Sequence, residues 1–178
     1  YPGARIGKNV RIFPGAVISA IPQDLKFGGE TTTAEIGDNS TIRECVTINR
    51  GTTDKMKTVI GKNCLIMAYV HVAHDCFIGD NCILANAVQM AGHVTVGDYA
   101  IIGGSTAIHQ FATIGQHVMI SGGSLVRKDV RTGFKDIFKA SQAKQLPSWR
   151  LGAGVLGASF VAIFSSQIST MTSLMDSC

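Results

Sequence analysis

Histidine, aspartate and glycine residues between positions 71 and 93 have the types and spacing that proton transfer to and from a hydroxyl group needs. The imidazole of His74 could accept such a proton, because the ordinary histidine pKa of about 6.5 leaves the ring mostly neutral at pH 7. Asp75 could orient the ring or favour its protonated form. The main-chain N–H of Gly92 could stabilise the oxyanion that forms at an attacked thioester carbonyl. This chemistry requires a chain path that brings the three residues together.

An aliphatic residue at every sixth position predicts that path. The series consists of Ile60, Ile66, Val72, Ile78, Leu84, Met90, Val96, Ile102, Ile108, Ile114, Ile120 and Val126. Four residues after each member stands a small or β-branched residue, from Cys64 to Val130. An amphipathic helix is excluded, because 100° per residue scatters sixth neighbours around its surface. The pattern predicts a narrow solenoid with two inward residues per hexad.

A second period of eighteen residues sets the size of one turn. It is marked by Ile60-Gly61, Ile78-Gly79, Val96-Gly97 and Ile114-Gly115. We expect three hexads per triangular turn, with glycine where the chain bends sharply. Equivalent residues of successive turns would then lie about 4.8 Å apart, joined by parallel main-chain hydrogen bonds.

The eighteen-residue turn predicts which candidate residues are neighbours. The two relevant columns are His74, Gly92 and Gln110, followed by Asp75, His93 and Phe111. Asp75 directly follows His74 in the chain, so it needs a corner conformation or contact through a neighbouring coil to reach that ring. None of the five histidines occupies an inward position, so we expect all of them on or near the surface. They are His71, His74, His93, His109 and His117.

Two interruptions of the hexad lie upstream. The Ile-Gly marker recurs at Ile6-Gly7 and Ile36-Gly37, at intervals of thirty and twenty-four residues. The excess over eighteen predicts excursions of twelve and six residues, which fall in 22–30 and around 53–57. Loops that leave a rigid solenoid often carry function. Tolerated surface insertions would give the same pattern.

Composition indicates a globular protein without nucleic-acid chemistry. Of the 178 residues, 46% are hydrophobic and 16% are charged, which is a globular balance. The net charge of +4 is spread along the chain, so it favours at most phosphates or an acidic carrier protein, and nucleic acid is not indicated. We find no signal peptide and no stable membrane span, and we expect a cytoplasmic location.

The five cysteines do not indicate a disulfide framework, because no secretory signal accompanies them. Cys64, Cys76 and Cys82 fall on the small inward position and are interpreted as small hydrophobes. Cys64 and Cys82 stack one turn apart, close enough for a disulfide, but a reducing cytoplasm argues against one.

Metal binding is an alternative interpretation of three histidines. His71, His74 and His93 could hold zinc from adjacent coils, as in the carbonic anhydrases that share this solenoid fold. The three-residue spacing of His71 and His74 differs from the spacing expected in that family. We therefore predict no metal and no resident cofactor, and zinc analysis would separate the two interpretations.

Residues 1–130 resemble the UDP-N-acetylglucosamine O-acyltransferases that open lipid A synthesis. The matching stretches are 20–27 (AIPQDLKF), 41–44 (TIRE), 49–52 (NRGT), 71–76 (HVAHDC), 82–86 (CILAN), 91–94 (AGHV), 100–104 (AIIGG) and 109–111 (HQF). The resemblance to hexapeptide-repeat proteins also supplies the handedness, which the spacing alone does not give. The expected fold is all-β, a left-handed parallel β-helix over 1–130.

The resemblance implies transfer of an (R)-3-hydroxyacyl chain from the phosphopantetheine thioester of acyl carrier protein to the 3-hydroxyl of UDP-N-acetylglucosamine. It implies that His74 is the general base, Asp75 its partner and the Gly92 N–H the oxyanion donor. The residues implied to hold the sugar nucleotide are Asp24, Lys26, His71, His93 and Gln110. His109 matches a position near the acyl-donor path, and Gly122 matches the position that limits the hydrocarbon groove, where glycine favours a long chain. The family places its site between subunits of a homotrimer, which three flat faces make physically reasonable.

The chain departs from that family in three places. Asn49 stands where many relatives have histidine, and we expect the start at Tyr1 to omit the family's first coils. The resemblance stops near Val130, so 131–178 is expected to be an atypical tail, irregular, helical or disordered, from a frameshifted, chimeric or mispredicted end. Without the family's helical domain we expect weaker nucleotide binding, and the chain could be inactive.

Two other classes of function stay open at this point. A related N-acyltransferase of the same pathway would accept an amine, although its additional N-terminal domain is not found here. A non-enzymatic solenoid, such as an ice-binding protein, would show outward threonine ladders, whereas this surface carries His, Asp, Asn and Gln.

Overall fold

The computed structural model describes residues 1–132, which form eighteen short β-strands and no helix. In chain order the strands are β1 (Ala4–Ile6), β2 (Arg11–Ile12), β3 (Val17–Ala20), β4 (Thr33–Ile36), β5 (Thr41–Ile42), β6 (Thr47–Asn49), β7 (Lys57–Ile60), β8 (Leu65–Ile66), β9 (His71–Val72), β10 (Phe77–Ile78), β11 (Ile83–Leu84), β12 (Gln89–Met90), β13 (Thr95–Val96), β14 (Ile101–Ile102), β15 (Ala107–Ile108), β16 (Thr113–Ile114), β17 (Met119–Ile120) and β18 (Leu125–Val126).

Each of the first fifteen strands pairs in parallel with the strand three places further along the chain. This pairing gives three six-stranded sheets, which begin with β1, β2 and β3 and end with β16, β17 and β18. Three strands therefore make one turn of a left-handed parallel β-helix, and the expected fold is confirmed. The predicted tail, apart from its first two residues, lies outside the described residues.

The strand register confirms the period of eighteen residues and both excursions. Ile60 pairs with Ile78, which pairs with Val96 in turn. Upstream, Ile6 pairs with Ile36 and Ile36 with Ile60, at the longer intervals that the sequence predicts. The extra residues leave the helix between β3 and β4, as the first excursion (21–32), and between β6 and β7, as the second excursion (50–56).

The two inward positions of each hexad fill the interior. The large aliphatic residues from Ile60 to Val126 are buried, as are the cysteines at the small position. The thiols of Cys64 and Cys82 are free and donate to the carbonyls of Gly79 and Gly97, at 3.1 and 3.2 Å. Their burial confirms the interpretation of these residues as small hydrophobes.

The corners of the turns use a different residue from the one that the sequence suggested. Every sixth residue from Asn63 to His117 has a left-handed backbone, with φ between 54° and 66°. Gly61 and its equivalents precede these residues by two positions and have no positive φ, so the prediction that they form the bend is wrong. Glycine is needed at position 61 for space, because a Cβ there would lie 2.4 Å from Asp80 Oδ1 and 2.5 Å from the Gly79 carbonyl oxygen.

Within residues 1–132, no helix has the length and apolar character that crossing a bilayer would require.

Candidate functional site

His74 and Gly92 meet on successive turns, as the columns predict. β9 and β12 pair in register, with Val72 opposite Met90, so the residues that follow them also face each other. A Cβ on Gly92 would lie 2.6 Å from His74 Cε1 and 2.7 Å from its Nε2, so only glycine leaves room for the ring. The Gly92 N–H donates no hydrogen bond to any described residue. An imidazole nitrogen and an available N–H donor therefore lie side by side.

Asp75 reaches the ring of its own chain neighbour through a corner conformation. Its φ is 58°, and this backbone turns the carboxylate back so that Oδ2 lies 2.9 Å from His74 Nδ1. A carboxylate accepts but does not donate hydrogen bonds, so Nδ1 carries the proton of the neutral ring. His74 Nε2 is then the unprotonated nitrogen, and it faces Gly92.

The second excursion holds the Asp75 carboxylate. The Thr52 hydroxyl donates to Oδ2 at 2.6 Å, and the N–H groups of Thr52 and Lys55 donate to Oδ1 at 3.0 and 3.2 Å. The Asp75 N–H donates to Thr58 Oγ1 at 2.9 Å, which fixes the backbone of the corner. Burial alone would raise the pKa of Asp75, but these hydrogen bonds and the one from His74 outweigh burial and lower the pKa. Asp75 is therefore an anion held in one orientation.

His74 is buried but lines a surface groove, so it lies near the surface and not on it, where the sequence predicted a position on or near the surface. Only 7% of the residue is exposed, whereas His109 and His117 are exposed as predicted. The ring nevertheless lies outside the interior of the β-helix, which the inward residues of each hexad fill. It is covered from the side, because Asp75 and the coil of Gly92 pack against it.

His93 lies between His74 and the carboxylate of Asp54. Its ring meets His74 edge to face at 5.0 Å and stacks on Phe111 at 4.6 Å. His93 Nε2 lies 3.8 Å from Asp75 Oδ2, and Nδ1 lies 3.1 Å from Asp54 Oδ2 without the alignment of a hydrogen bond. The ring is thus positioned by packing more than by hydrogen bonds.

His71 lies beside the base on the same face. Its Nδ1 is 2.7 Å from Thr47 Oγ1, and burial lowers its pKa. The ring is therefore neutral at pH 7 and presents a polar, uncharged edge to the site.

Two grooves flank the corner that carries Asp75 and His93. Groove one has a volume of about 460 Å³, and its polar lining consists of Gln23, His71, His74, Gln89 and Gln110, with Gly92 at its wall. Groove two has a volume of about 300 Å³ and is lined by Asp24, Lys26, Glu30, Thr52, Thr53, Asp54, His93 and Phe111. The structure thus divides the predicted sugar-nucleotide residues between the two grooves, and the first excursion contributes to both.

His109 and Gly122 lie outside both grooves. The His109 side chain is exposed, and its Nδ1 lies 3.1 Å from the Gln110 carbonyl oxygen. Gly122 is exposed on a later turn, where a Cβ would lie 3.1 Å from the Gly104 carbonyl oxygen. Their implied roles with the acyl donor stay predictions.

The histidines that could bind a metal are not the set suggested by the sequence. Ligand atoms of His74, Asp75 and His93 lie within 4.8 Å of one another, whereas His71 is turned to Thr47. The hydrogen bond between His74 and Asp75 and the packing of His93 account for this cluster without an ion.

Sequence comparisons agree with the geometry. The family model described as Bacterial transferase hexapeptide (six repeats) matches residues 57–92. The acyl-carrier-protein-dependent UDP-N-acetylglucosamine O-acyltransferase of Chlorobaculum parvum is 60% identical over 74 residues, which cover 42% of this chain and 28% of that protein. The corresponding protein of Aquifex aeolicus is 64% identical over 66 residues, which cover 36% of this chain and 25% of that protein.

Solved structures give the same result over a longer stretch. The UDP-N-acetylglucosamine acyltransferase LpxA of Bacteroides fragilis superimposes with a TM-score of 0.70 at 55% identity and covers 72% of this chain and 51% of that chain. LpxA of Acinetobacter baumannii gives a TM-score of 0.71 at 49% identity and covers 72% of this chain and 50% of that chain. This chain thus spans about a quarter of the curated relatives and about half of the solved structures that it matches.

Proposed function

Because this β-helix belongs to the UDP-N-acetylglucosamine O-acyltransferase family, we propose that the chain transfers an (R)-3-hydroxyacyl group from acyl carrier protein to the 3-hydroxyl of UDP-N-acetylglucosamine, the first step of lipid A synthesis. The observation that carries the proposal is the pairing of His74 Nδ1 with Asp75 while Nε2 lies beside Gly92, whose N–H donates to no described residue. A base and an oxyanion donor then converge on one point of groove one.

His74 acts as the base in the first step. Its Nε2 accepts the proton of the sugar 3-hydroxyl as the hydroxyl oxygen attacks the thioester carbonyl carbon. The imidazolium that forms is stabilised by the Asp75 carboxylate 2.9 Å away. Because the carboxylate is already held by the second excursion, this stabilisation needs no reorganisation during the reaction.

The second step expels the thiol of the carrier. The Gly92 N–H donates to the oxyanion of the tetrahedral intermediate. Collapse of the intermediate breaks the carbon–sulfur bond, and the imidazolium of His74 returns its proton to the departing sulfur. The ester and the free phosphopantetheine thiol are the products, so the proton balance closes on one histidine and the reaction needs neither a resident cofactor nor a metal.

The two grooves offer complementary surroundings for the substrates. Lys26 supplies a positive charge for phosphate oxygens in groove two, beside Asp24 and His93. Gln110 and the neutral ring of His71 supply hydrogen-bonding groups for the sugar in groove one. His109 and Gly122, on later turns, are assigned to the acyl-donor side.

We also propose a homotrimer that acts in the cytoplasm. The outward residues of the second sheet form an in-register apolar ladder of Leu65, Ile83, Ile101 and Met119. A continuous apolar face of this kind favours burial against another subunit. The hydrodynamic mass of the purified chain tests the trimer.

An acyl-transfer assay with UDP-N-acetylglucosamine and (R)-3-hydroxyacyl carrier protein tests the proposed reaction. We expect an ester at the sugar 3-hydroxyl, and we expect His74→Ala to lower kcat on the order of a hundredfold or more, since the base is lost. His117→Ala is the matched control, because this histidine is exposed and lines neither groove. It should retain full activity.

Three outcomes would contradict the proposal. They are a wild-type chain that forms no ester, near-normal turnover of His74→Ala, and a strong preference for the 3-amino analogue of the sugar nucleotide. The last outcome would favour the N-acyltransferase alternative.

A further inference from the structure

The shortest hydrogen bond at the site is made by a residue that has no hydrogen bond to His74 and does not line groove one. The Thr52 hydroxyl donates to Asp75 Oδ2 at 2.6 Å, and His74 Nδ1 donates to the same oxygen at 2.9 Å. Thr52 and Asp75 are both buried. The carboxylate oxygen that orients the base therefore has two donors, one from the repeat and one from the second excursion.

We propose that Thr52 is a positioning residue for the proposed base and completes a Thr52–Asp75–His74 relay. The inference rests on the proposed function, since it concerns how that base is oriented. It assigns to the second excursion a part in the reaction that the hexad repeat alone could not supply. Thr52 acts through Asp75 and does not contact the reacting atoms.

The remaining contacts of Asp75 explain why the hydroxyl matters. Main-chain N–H groups of Thr52 and Lys55 occupy Oδ1, so they fix that oxygen whatever the side chains are. Oδ2 is fixed only by the Thr52 hydroxyl and by the imidazole itself, with His93 Nε2 further away at 3.8 Å. Without the hydroxyl, Oδ2 would keep only the imidazole as a hydrogen-bond partner, so the carboxylate and the His74 ring that it holds would be positioned less tightly.

The second excursion also links this relay to groove two. Thr52, Thr53 and Asp54 all line that groove. A group bound there touches the same short segment that holds Asp75. Thr52 therefore stands between the groove that is assigned to the nucleotide and the base that is assigned to the sugar hydroxyl.

Three variants separate positioning from a general effect on folding. Thr52→Val keeps the β-branched shape and the N–H but lacks the hydroxyl, and Thr52→Ser restores the hydroxyl. Thr53→Val is the matched control for the titration of Asp75, because Thr53 neighbours Thr52 but makes no hydrogen bond to Asp75.

The first measurement needs no substrate. The carboxyl 13C resonance of Asp75 is followed against pH by NMR. Charged or titratable groups near this carboxylate are His74, His93 and Lys55, and they are the same in every variant. Because the Thr52 hydrogen bond helps to lower the pKa of Asp75, that pKa should rise in Thr52→Val and stay low in Thr52→Ser and Thr53→Val.

The second measurement is the steady-state acyl-transfer assay. Loss of a hydrogen bond to a charged group predicts a decrease of kcat of about tenfold in Thr52→Val, with the KM for UDP-N-acetylglucosamine changed by less than about twofold. Thr52→Ser should recover most of the loss. If the substitution disturbed the second excursion as a whole, the KM for UDP-N-acetylglucosamine would rise instead, because that excursion lines groove two.

The two measurements distinguish failure of this inference from failure of the proposed reaction. A chain that forms no ester would overturn the proposed reaction, and the NMR titration would still test the contact. An Asp75 pKa that is the same in Thr52→Val and in the wild type would overturn the relay. So would a Thr52→Val enzyme that has normal kcat, or one whose defect lies in KM alone.

Discussion

Two corners of the β-helix have the same backbone and opposite surroundings. The site corner consists of Asp75, His93 and Phe111, and the open corner consists of Asn63, Asn81, Tyr99 and His117. All seven residues have φ between 54° and 66°. Each corner also stacks two aromatic rings, His93 on Phe111 at 4.6 Å and Tyr99 on His117 at 4.9 Å. Left-handed backbone and ring stacking are therefore properties of the repeat and do not by themselves mark a site.

The difference between the corners comes from the second excursion. At the site corner, Thr52 and Lys55 hydrogen-bond the carboxylate of Asp75, and both Asp75 and His74 are buried. At the open corner, Tyr99 and His117 remain exposed. A regular solenoid thus supplies many equivalent positions, and an irregular loop gives one of them a low-dielectric, hydrogen-bonded environment, in which charges interact more strongly.

Exchanging the polar residues of the two corners should give the largest effect. Asp75→Asn removes the charge that stabilises the imidazolium, and we expect kcat to fall on the order of a hundredfold or more. Asn81→Asp makes the reverse change at the open corner and should leave kcat unchanged. The acyl-transfer assay measures both. Equal activity of Asp75→Asn and the wild type would mean that the corners do not differ in function.

Acid should destabilise the site corner selectively. Because the folded protein lowers the pKa of Asp75, its stabilising effect is complete above the ordinary aspartate pKa of about 3.9 and is lost as the pH falls through the lower folded value. Urea unfolding should be measured for the wild type and Asp75→Asn between pH 7 and pH 2.5. The difference between their free energies of unfolding should become smaller as the pH falls towards 2.5. A difference independent of pH would show that the carboxylate charge is not what the loop stabilises.

Asparagine substitutions at the aromatic residues of the two corners should have the smallest effect. Asparagine tolerates a left-handed backbone, so Tyr99→Asn should change the free energy of unfolding by less than about 1 kcal/mol and leave activity unchanged. Phe111→Asn removes the ring on which His93 stacks and should lower activity severalfold. Urea unfolding and the acyl-transfer assay check the pair. Equal activity of the two variants would contradict a special role of the site corner.

The sequence predicts the fold because the repeat records it directly. Inward positions must be apolar, so the six-residue period locates the core, and the interval between Ile-Gly pairs gives both the turn and the lengths of the two excursions. The same arithmetic places His74 beside Gly92. The glycine at position 61 is explained by the lack of space between turns and not by a positive φ. Periodicity alone could not distinguish these two reasons for a glycine.

The covering of the site could not be predicted in the same way. The path of the second excursion follows no period, so the hydrogen bond from Thr52 to Asp75 left no signal in the hexad. Thr52 lies in the 49–52 stretch that carries part of the family resemblance, which is the one sequence signal that pointed to it. The division of the binding residues between two grooves depends on the first excursion for the same reason.

The protonation of the His74 ring tests the central claim most directly. Imidazole 15N chemical shifts at pH 7.5 report which nitrogen carries the proton, and His117 of the open corner serves as an internal reference. We predict that the proton of the His74 ring is on Nδ1, bonded to Asp75, and that Nε2 is unprotonated. A neutral ring with its proton on Nε2 would contradict the account, because the nitrogen that faces Gly92 could then accept no proton.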